Sequence, residues 1–219
     1  MERYFDSELK ELKEKILNMS AMVEEAMNNS LKAFMERKET IAQQVIDNDK
    51  VIDMLELEID DLCIRILALY QPQAGDLRFI AATMKINNDL ERMADIAVNI
   101  SERALDLLKV PPVELHGDIY KMAKCTQKML RDCIEALVTS DTELAQAVCR
   151  RDDEVDDYYA KLFKELLAVM HDDNTTIERS LDLIHVSKAL ERIADHATNI
   201  CEDVIYMVEG KVIKHHKEE

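Results

Sequence analysis

Glycine and proline are nearly missing. Three of each occur in 219 residues, against about 12 % for the two together in an average protein. Sandwiches, barrels and doubly wound α/β domains need these residues at many tight turns. Phosphate-cradling G-x-G-x-x-G or G-x-x-x-x-G-K loops need several glycines close together. None of those patterns is present, so nucleotide-binding enzymes of those kinds are excluded. Long apolar runs are lacking too. The longest stretch without a formal charge, Ile66 to Gly75, has ten residues and contains Gln, Pro and Gly, whereas a membrane helix takes about 20 apolar residues. Positive charge is scarce, with 28 Lys and Arg against 45 Asp and Glu and a formal net charge of −17. A nucleic-acid backbone would be repelled unless a basic face were segregated. The one basic cluster, Lys211, Lys214, His215, His216 and Lys217, has the pattern of a solvated helix end, so no direct nucleic-acid contact is expected. Five cysteines, Cys63, Cys125, Cys133, Cys149 and Cys201, form no C-x-x-C pair. With no signal-peptide pattern, they predict reduced, mostly buried thiols in a cytoplasmic protein.

What is present is helical and written twice. Hydrophobic residues make up 47 % and charged residues 33 %, rich in Leu, Ala, Ile, Met, Glu and Lys, all of which suit helices. Glu91-Arg92-Met93-Ala94-Asp95-Ile96-Ala97-Val98-Asn99-Ile100 recurs as Glu191-Arg192-Ile193-Ala194-Asp195-His196-Ala197-Thr198-Asn199-Ile200. Ile86, Leu90, Met93, Ala97, Ile100, Ala104 and Leu107 step by four and three, matched by Val186, Leu190, Ile193, Ala197, Ile200, Val204 and Met207. Such a stripe is the core-facing seam of a helix of about 30 residues and 45 Å. A second seam, Ile52, Leu55, Ile59, Leu62, Ile66 and Leu69, has a looser counterpart in Val155, Tyr158, Leu162, Leu166 and Val169. Each half opens with a further amphipathic helix, through Leu9, Leu12, Ile16, Met19 and Val23, and through Ile119, Met122, Met129 and Cys133.

The predicted fold is all-α: two tandem, internally repeated three-helix bundles, residues 1–110 and 118–219, joined by a linker at 111–117. Pro72 and Gly75 break the chain before the third helix, with Asp76 expected to cap it. Thr175 with Glu178, and Ser140 with Glu143, have capping-box spacing. Gly210 is placed to end the last helix.

The chemistry-bearing feature is a set of like-charged i,i+4 pairs: Asp49/Asp53, Glu91/Asp95, Asp152/Asp156 and Glu191/Asp195. Each pair costs an isolated helix a few tenths of a kcal/mol. Glu91 follows seam residue Leu90 and Asp53 follows Ile52, so adjacent helices can gather four carboxylates per bundle. One such motif alone reads as a solvated face held by Arg92–Asp95 or Arg192–Asp195 pairs. Four, paired by repeat, point to a multivalent cation as counter-ion. Oxygen-only donors suit Mg²⁺, Mn²⁺, Ca²⁺ or oxidised iron rather than tetrahedral zinc. Asn99 and Asn199 could add amide oxygens or simply make surface hydrogen bonds. A ferritin-like iron oxidase or storage protein is the enzyme-class alternative. It wants Glu-x-x-His on two helices, and no Glu here has His three residues later. His196 and His185 read as incidental surface histidines, Cys201 as a small packing residue, and most of the twelve methionines as core filler. With no nucleophile and no general base legible, binding is favoured over catalysis. A plain scaffold whose acid stripes bind nothing is the third reading.

The doubled Leu-Glu-Arg-(Met/Ile)-Ala-Asp-x-Ala-x-Asn-Ile, the paired Asp-x-x-(Ile/Val)-Asp, the turn Gln71 to Arg78 and the ending Asn199 to Gly210 resemble the PhoU family of bacterial phosphate-uptake regulators, over nearly the whole chain. The resemblance implies a cytoplasmic, non-enzymatic adaptor that reports phosphate sufficiency. Its implied partners are the ATPase subunit of a phosphate ABC transporter and a sensor histidine kinase. It implies a homodimer that meets the membrane only through those partners. It also implies metal clusters, iron first with magnesium, manganese, zinc or calcium as alternatives, on Asp49, Asp53, Glu91 and Asp95 in the first bundle. In the second bundle the implied ligands are Asp152, Asp156, Glu191 and Asp195. Asp153 and Asp157 share the spacing of Asp152 and Asp156, and alignment of Val155 with Ile52 selects the latter pair.

Overall fold

The structure, a computed structural model, describes residues 2–112 and 118–213. It contains six long helices: α1 (Glu2–Glu36), α2 (Glu39–Tyr70), α3 (Ala74–Leu108), α4 (Asp118–Thr139), α5 (Thr142–Asp172) and α6 (Ile177–Glu209). A single 3-10 turn, Asn174–Thr176, precedes α6, and no strand occurs among the described residues. None of these helices is long and apolar enough to cross a membrane. The basic tail from Lys214 onward and the linker residues 113–117 lie outside the described residues, while Lys211 pairs with Glu209 at 3.1 Å.

With so few glycines, the reversals rest on other residues in the left-handed region: Arg37, Gln71 and Ser140 at φ of 54°, 50° and 56°. Such a conformation costs roughly 1–2 kcal/mol for a residue bearing a Cβ, so something must hold each turn. At the first, Arg37 donates to the carbonyls of Leu107, Leu108 and Val110 at 2.9, 3.2 and 3.0 Å. The same guanidinium thereby satisfies the end of α3 and ties it to the α1–α2 turn. Only Gly210, at φ 72°, terminates its helix as expected, its N–H donating to the Tyr206 carbonyl.

The other expected caps shift. Helix α3 begins at Ala74, so Asp76 lies inside its first turn and Gln73 holds the cap position without a side-chain bond. Asp141, not Ser140, caps α5 and accepts from Leu144 N–H. Before α6, Asp173 caps the 3-10 turn by accepting from Thr175 N–H, and no Thr175–Glu178 box forms.

The seams form the core. Met19, Ile59, Ile66, Leu90, Met93, Ile100, Leu190 and Ile193 are fully enclosed, each burial worth about 1.5–3 kcal/mol. Leu69 departs from its seam and stands exposed at the end of α2. The two bundles do not stand apart. Helix α3 lies antiparallel on α6, as the cross-pairs Lys85–Asp203, Asp89–His196 and Arg103–Asp182 show by running in opposite order along the two helices. Helix α1 meets α4 through Gln127 and Asn28. The repeat thus becomes a pseudo-two-fold about the α3/α6 crossing, near Met93 and Ile193.

Candidate cation-binding patches

In the first bundle α2 and α3 lie side by side, and their heptad phase places acidic residues at the rim of the shared seam. Asp49 and Asp53 come from α2, Glu91 and Asp95 from α3. Burial, then Asp53 and Asp95, push the Asp49 carboxyl up to about 6. Burial, then Asp95, also raise Glu91, with Arg92 opposing and Glu56 and Asp53 adding to the rise. Four expected residues therefore share one electrostatic patch. Glu56 belongs to it as well, raised by burial, Asp60 and Asp53. The expected Arg92–Asp95 pair is present at 3.5 Å, and Arg92 also reaches Glu91 at 3.4 Å.

The second patch repeats the arrangement on α5 and α6. Burial, then Asp195, Asp156, Asp153 and Glu191, raise Asp152 to about 7. Burial and Glu191 raise both Asp156 and Asp195. Asp152 is half-buried and Val155 enclosed, whereas Asp153 and Asp157 are exposed. One expected pair is replaced: among the described residues Arg192 makes no bond to Asp195, and Lys188 instead donates to Glu191 at 2.6 Å. Lys188 also sits 5.4 Å from the Tyr159 ring centre.

The oxygen donors are left short of partners. Among the described residues, only Glu91, Asp95 and Glu191 of the eight carboxylates are in ion pairs. The side chains of Asp49, Asp53, Asp152, Asp156 and Asp195 make no hydrogen bond or ion pair among the described residues, and Asp152 Oδ1 is buried without a partner. An unpaired buried carboxylate oxygen costs free energy that a bound hard cation would offset, so the donor set fits such an ion. As the side chains stand, no three His, Cys, Asp or Glu among the described residues converge closely enough to hold one metal ion.

Two further groupings were not legible in the sequence. His196 is no incidental surface residue: its Nδ1 lies 2.7 Å from Asp89 across the bundle interface. Cys201 is more than a spacer, because Cys133 and Cys149 from the neighbouring helices stand against its thiol; the Cys133 contact and burial raise it, and the Cys149 contact opposes them. Cys63 is pushed up to about 12 by burial and Asp60, so it stays a thiol. Neither Asn99 nor Asn199 donates or accepts a side-chain hydrogen bond among the described residues, and Asn99 faces a cleft between α3 and α6.

A doubled three-helix architecture, with one acidic patch per copy and a shared central helix pair, defines a class of all-helical tandem-repeat protein. The PhoU domain matches this chain twice, over residues 16–104 and 119–204. The chain belongs to the PhoU family. A phosphate-specific transport system accessory protein PhoU homolog from Aquifex aeolicus is 42 % identical over 208 residues, covering 95 % of this chain and 94 % of that protein. The crystal structure of PhoU from Pseudomonas aeruginosa superposes with a TM-score of 0.92 at 36 % identity, covering 94 % of this chain and all of that one. The phosphate transport system regulatory protein PhoU from Streptococcus pneumoniae gives 0.88 at 31 % identity, over 96 % and 99 % of the two chains.

Proposed function

We propose that this chain is a cytoplasmic, non-enzymatic regulator of phosphate uptake, an adaptor between the ATPase subunit of a phosphate ABC transporter and a sensor histidine kinase. The observation that carries this reading is the near-full-length kinship, through both copies of the repeat, to proteins described as phosphate transport accessory and regulatory proteins. The physical character of the molecule agrees. It is a long acidic platform whose polar groups serve packing, and it presents exposed apolar side chains on the outer face of α2, Val51, Met54, Leu57 and Ile64, of the kind that partner surfaces cover. Homodimer formation would use the same kind of surface. Affinity purification from phosphate-replete cells tests the reading: the transporter ATPase or the sensor kinase should co-purify, and absence of both overturns it.

In the same reading, Asp49, Asp53, Glu91 and Asp95 hold cations in the first bundle and Asp152, Asp156, Glu191 and Asp195 in the second, iron being first among the ions considered. Bound there, a multivalent cation supplies the positive charge that these carboxylates lack. The protein's own residues orient the oxygens and set, through their summed charge, what each bundle presents to a partner. Elemental analysis of the purified protein beside Glu91→Ala/Asp95→Ala and Glu191→Ala/Asp195→Ala variants should show metal lost in each. Unchanged content in both variants rejects the ligand set, and unchanged partner affinity after chelation rejects the coupling. The ferritin-like alternative gains nothing from the structure: among the described residues the histidine beside an acidic patch, His196, is engaged by Asp89.

A further inference from the structure

The pseudo-two-fold at the α3/α6 crossing generates two faces built from equivalent positions, and the sequence fills them differently. On one face Asp89 meets His196 at 2.7 Å, Lys85 meets Asp203 at 3.2 Å, and Arg92 is engaged by Glu91 and Asp95. On the other, the counterparts of Asp89 and His196 are Ala189 and Ile96, the counterpart of Asp203 is Arg103, and that of Asn88 is Lys188. Lys85 is replaced by His185 as well, while Asp182 and Asp106 stand where the closed face has Ala82 and Tyr206. The open face thus has three permanent cations, Lys188, Arg192 and Arg103, against Lys85 and Arg92, and a cleft of about 240 Å³ opens where the ion pairs would be. Its walls are Ile96, Asn99, Ile100 and Arg103 from α3 and His185, Val186, Lys188, Ala189 and Arg192 from α6. In a chain of net charge −17, three permanent cations and a histidine converge on one small space.

Their charge is only partly answered. Arg103 reaches Asp182 at 3.4 Å and Asp106 at 3.6 Å, and Lys188 holds Glu191. Arg192 makes no hydrogen bond or ion pair with a described residue, and His185 acts on Asp182 only through its field. Two arginines lining one cleft, one from each helix, offer several N–H donors in fixed planes, which match the oxygens of a tetrahedral oxyanion. The volume lies below the roughly 300–1,000 Å³ of sites for drug-sized ligands, which suits a small ion with some of its water and not a nucleotide.

We propose that this open face binds a phosphate-class oxyanion, inorganic phosphate or a phosphate monoester, between Arg192 and Arg103, with Lys188, His185 and Asn99 at its edge. The site borders the second carboxylate patch through Lys188 but needs no metal, so it is tested on the full chain after chelation. Calorimetric titration with inorganic phosphate and, separately, with N-acetylphosphoserine amide should show saturable one-to-one binding of at least one of them. The tighter of the two names the source. Arg192→Gln and Arg103→Gln should each weaken binding about tenfold or more, as expected for loss of a charge-assisted contact. Arg92→Gln, the equivalent position on the closed face, should leave it unchanged. Arg192 is exposed and bonded to nothing described, so its replacement leaves folding intact, which circular dichroism verifies. Saturable binding of neither ligand, binding that survives both substitutions, or an equal loss in Arg92→Gln overturns the proposal.

Discussion

The two acidic patches are copies of one design that differ, among other positions, at two that face each other. Where the first has Asn88 on α3 and Glu56 on α2, the second has Lys188 on α6 and Tyr159 on α5. The exchange is coordinated: the lysine lies over the tyrosine ring and reaches Glu191, while Glu56 strengthens the negative field around Glu91. Each patch thus carries one internal cation. Arg92 is spread at 3.4 and 3.5 Å over Glu91 and Asp95 in the first, and Lys188 is held closely on Glu191 in the second, where it competes with any bound ion. The second patch's Asp152 holds its proton to a higher pH than Asp49 does. The repeat gives two patches of one plan, and the exchanged residues make their fields unequal. The two faces of the α3/α6 crossing diverged in the same manner, one closed by ion pairs and the other left open.

The largest expected effect tests whether the shared seam belongs to both bundles alike. Leu90→Ala and Leu190→Ala, both fully enclosed, should each cost about 2–5 kcal/mol in denaturant unfolding. A loss in one below 1 kcal/mol, roughly the range of surface substitutions, would show that the copies do not share the core equally.

Next comes the contrast between faces. Asp89→Ala leaves His196 without its partner at a half-buried site and should cost about 1.5–3 kcal/mol. Adding His196→Ile, which reproduces Ala189 and Ile96, should recover much of that loss, since removing both partners is less costly than removing one. Arg103→Ala on the open face should cost under about 1 kcal/mol. If the double variant is no more stable than Asp89→Ala, the two faces are not interchangeable by these residues.

A smaller effect concerns the grading of the patches. Lys188→Asn gives the second patch the residue of the first and should tighten its Mn²⁺ affinity about tenfold by calorimetry, about 1.4 kcal/mol. The change is to be read in a Glu91→Ala/Asp95→Ala background so that only the second patch reports. Affinity that falls or stays level rejects the competing-cation account.

The smallest effect is pH dependence. Asp49 and Asp152 bind their protons more tightly in the folded protein than at the ordinary carboxylate value of 3.8. Stability from these groups is fully present below that value and is lost as pH rises through about 6 for Asp49 and about 7 for Asp152. The melting temperature of chelated protein should accordingly decline between about pH 4 and pH 7 and level off above. Asp152→Asn should flatten the upper part of that decline and Asp49→Asn the lower part. A melting temperature that rises across the window contradicts the like-charge clustering.

Much of this molecule was legible in one dimension. The three–four stepping of Leu90, Met93, Ala97 and Ile100 names a buried helix face because the α-helical period is imposed by backbone geometry, independently of neighbours. The same period puts Glu91 and Asp95 on one rim. Caps were less legible: Asp141, Ser140 and Thr175 all have capping chemistry, and the backbone torsions of each turn select among them. The Arg192–Asp195 pair failed for a similar reason. Lys188 stands one turn away on the same face, and its position over Tyr159 of another helix settles which cation takes the patch.

By itself the sequence determined six helices, their grouping into two copies and the pairing of acidic motifs, because each follows from periodicity or from repetition. Only the tertiary structure decided that α3 lies antiparallel on α6, which brings residues more than a hundred positions apart, Asp89 and His196, into contact. Arg103 and Arg192 line one cleft for the same reason. Local propensity carries no information about which helix faces meet. That choice rests on the fit of whole side-chain surfaces, and from it come both the closed face and the open, cationic one.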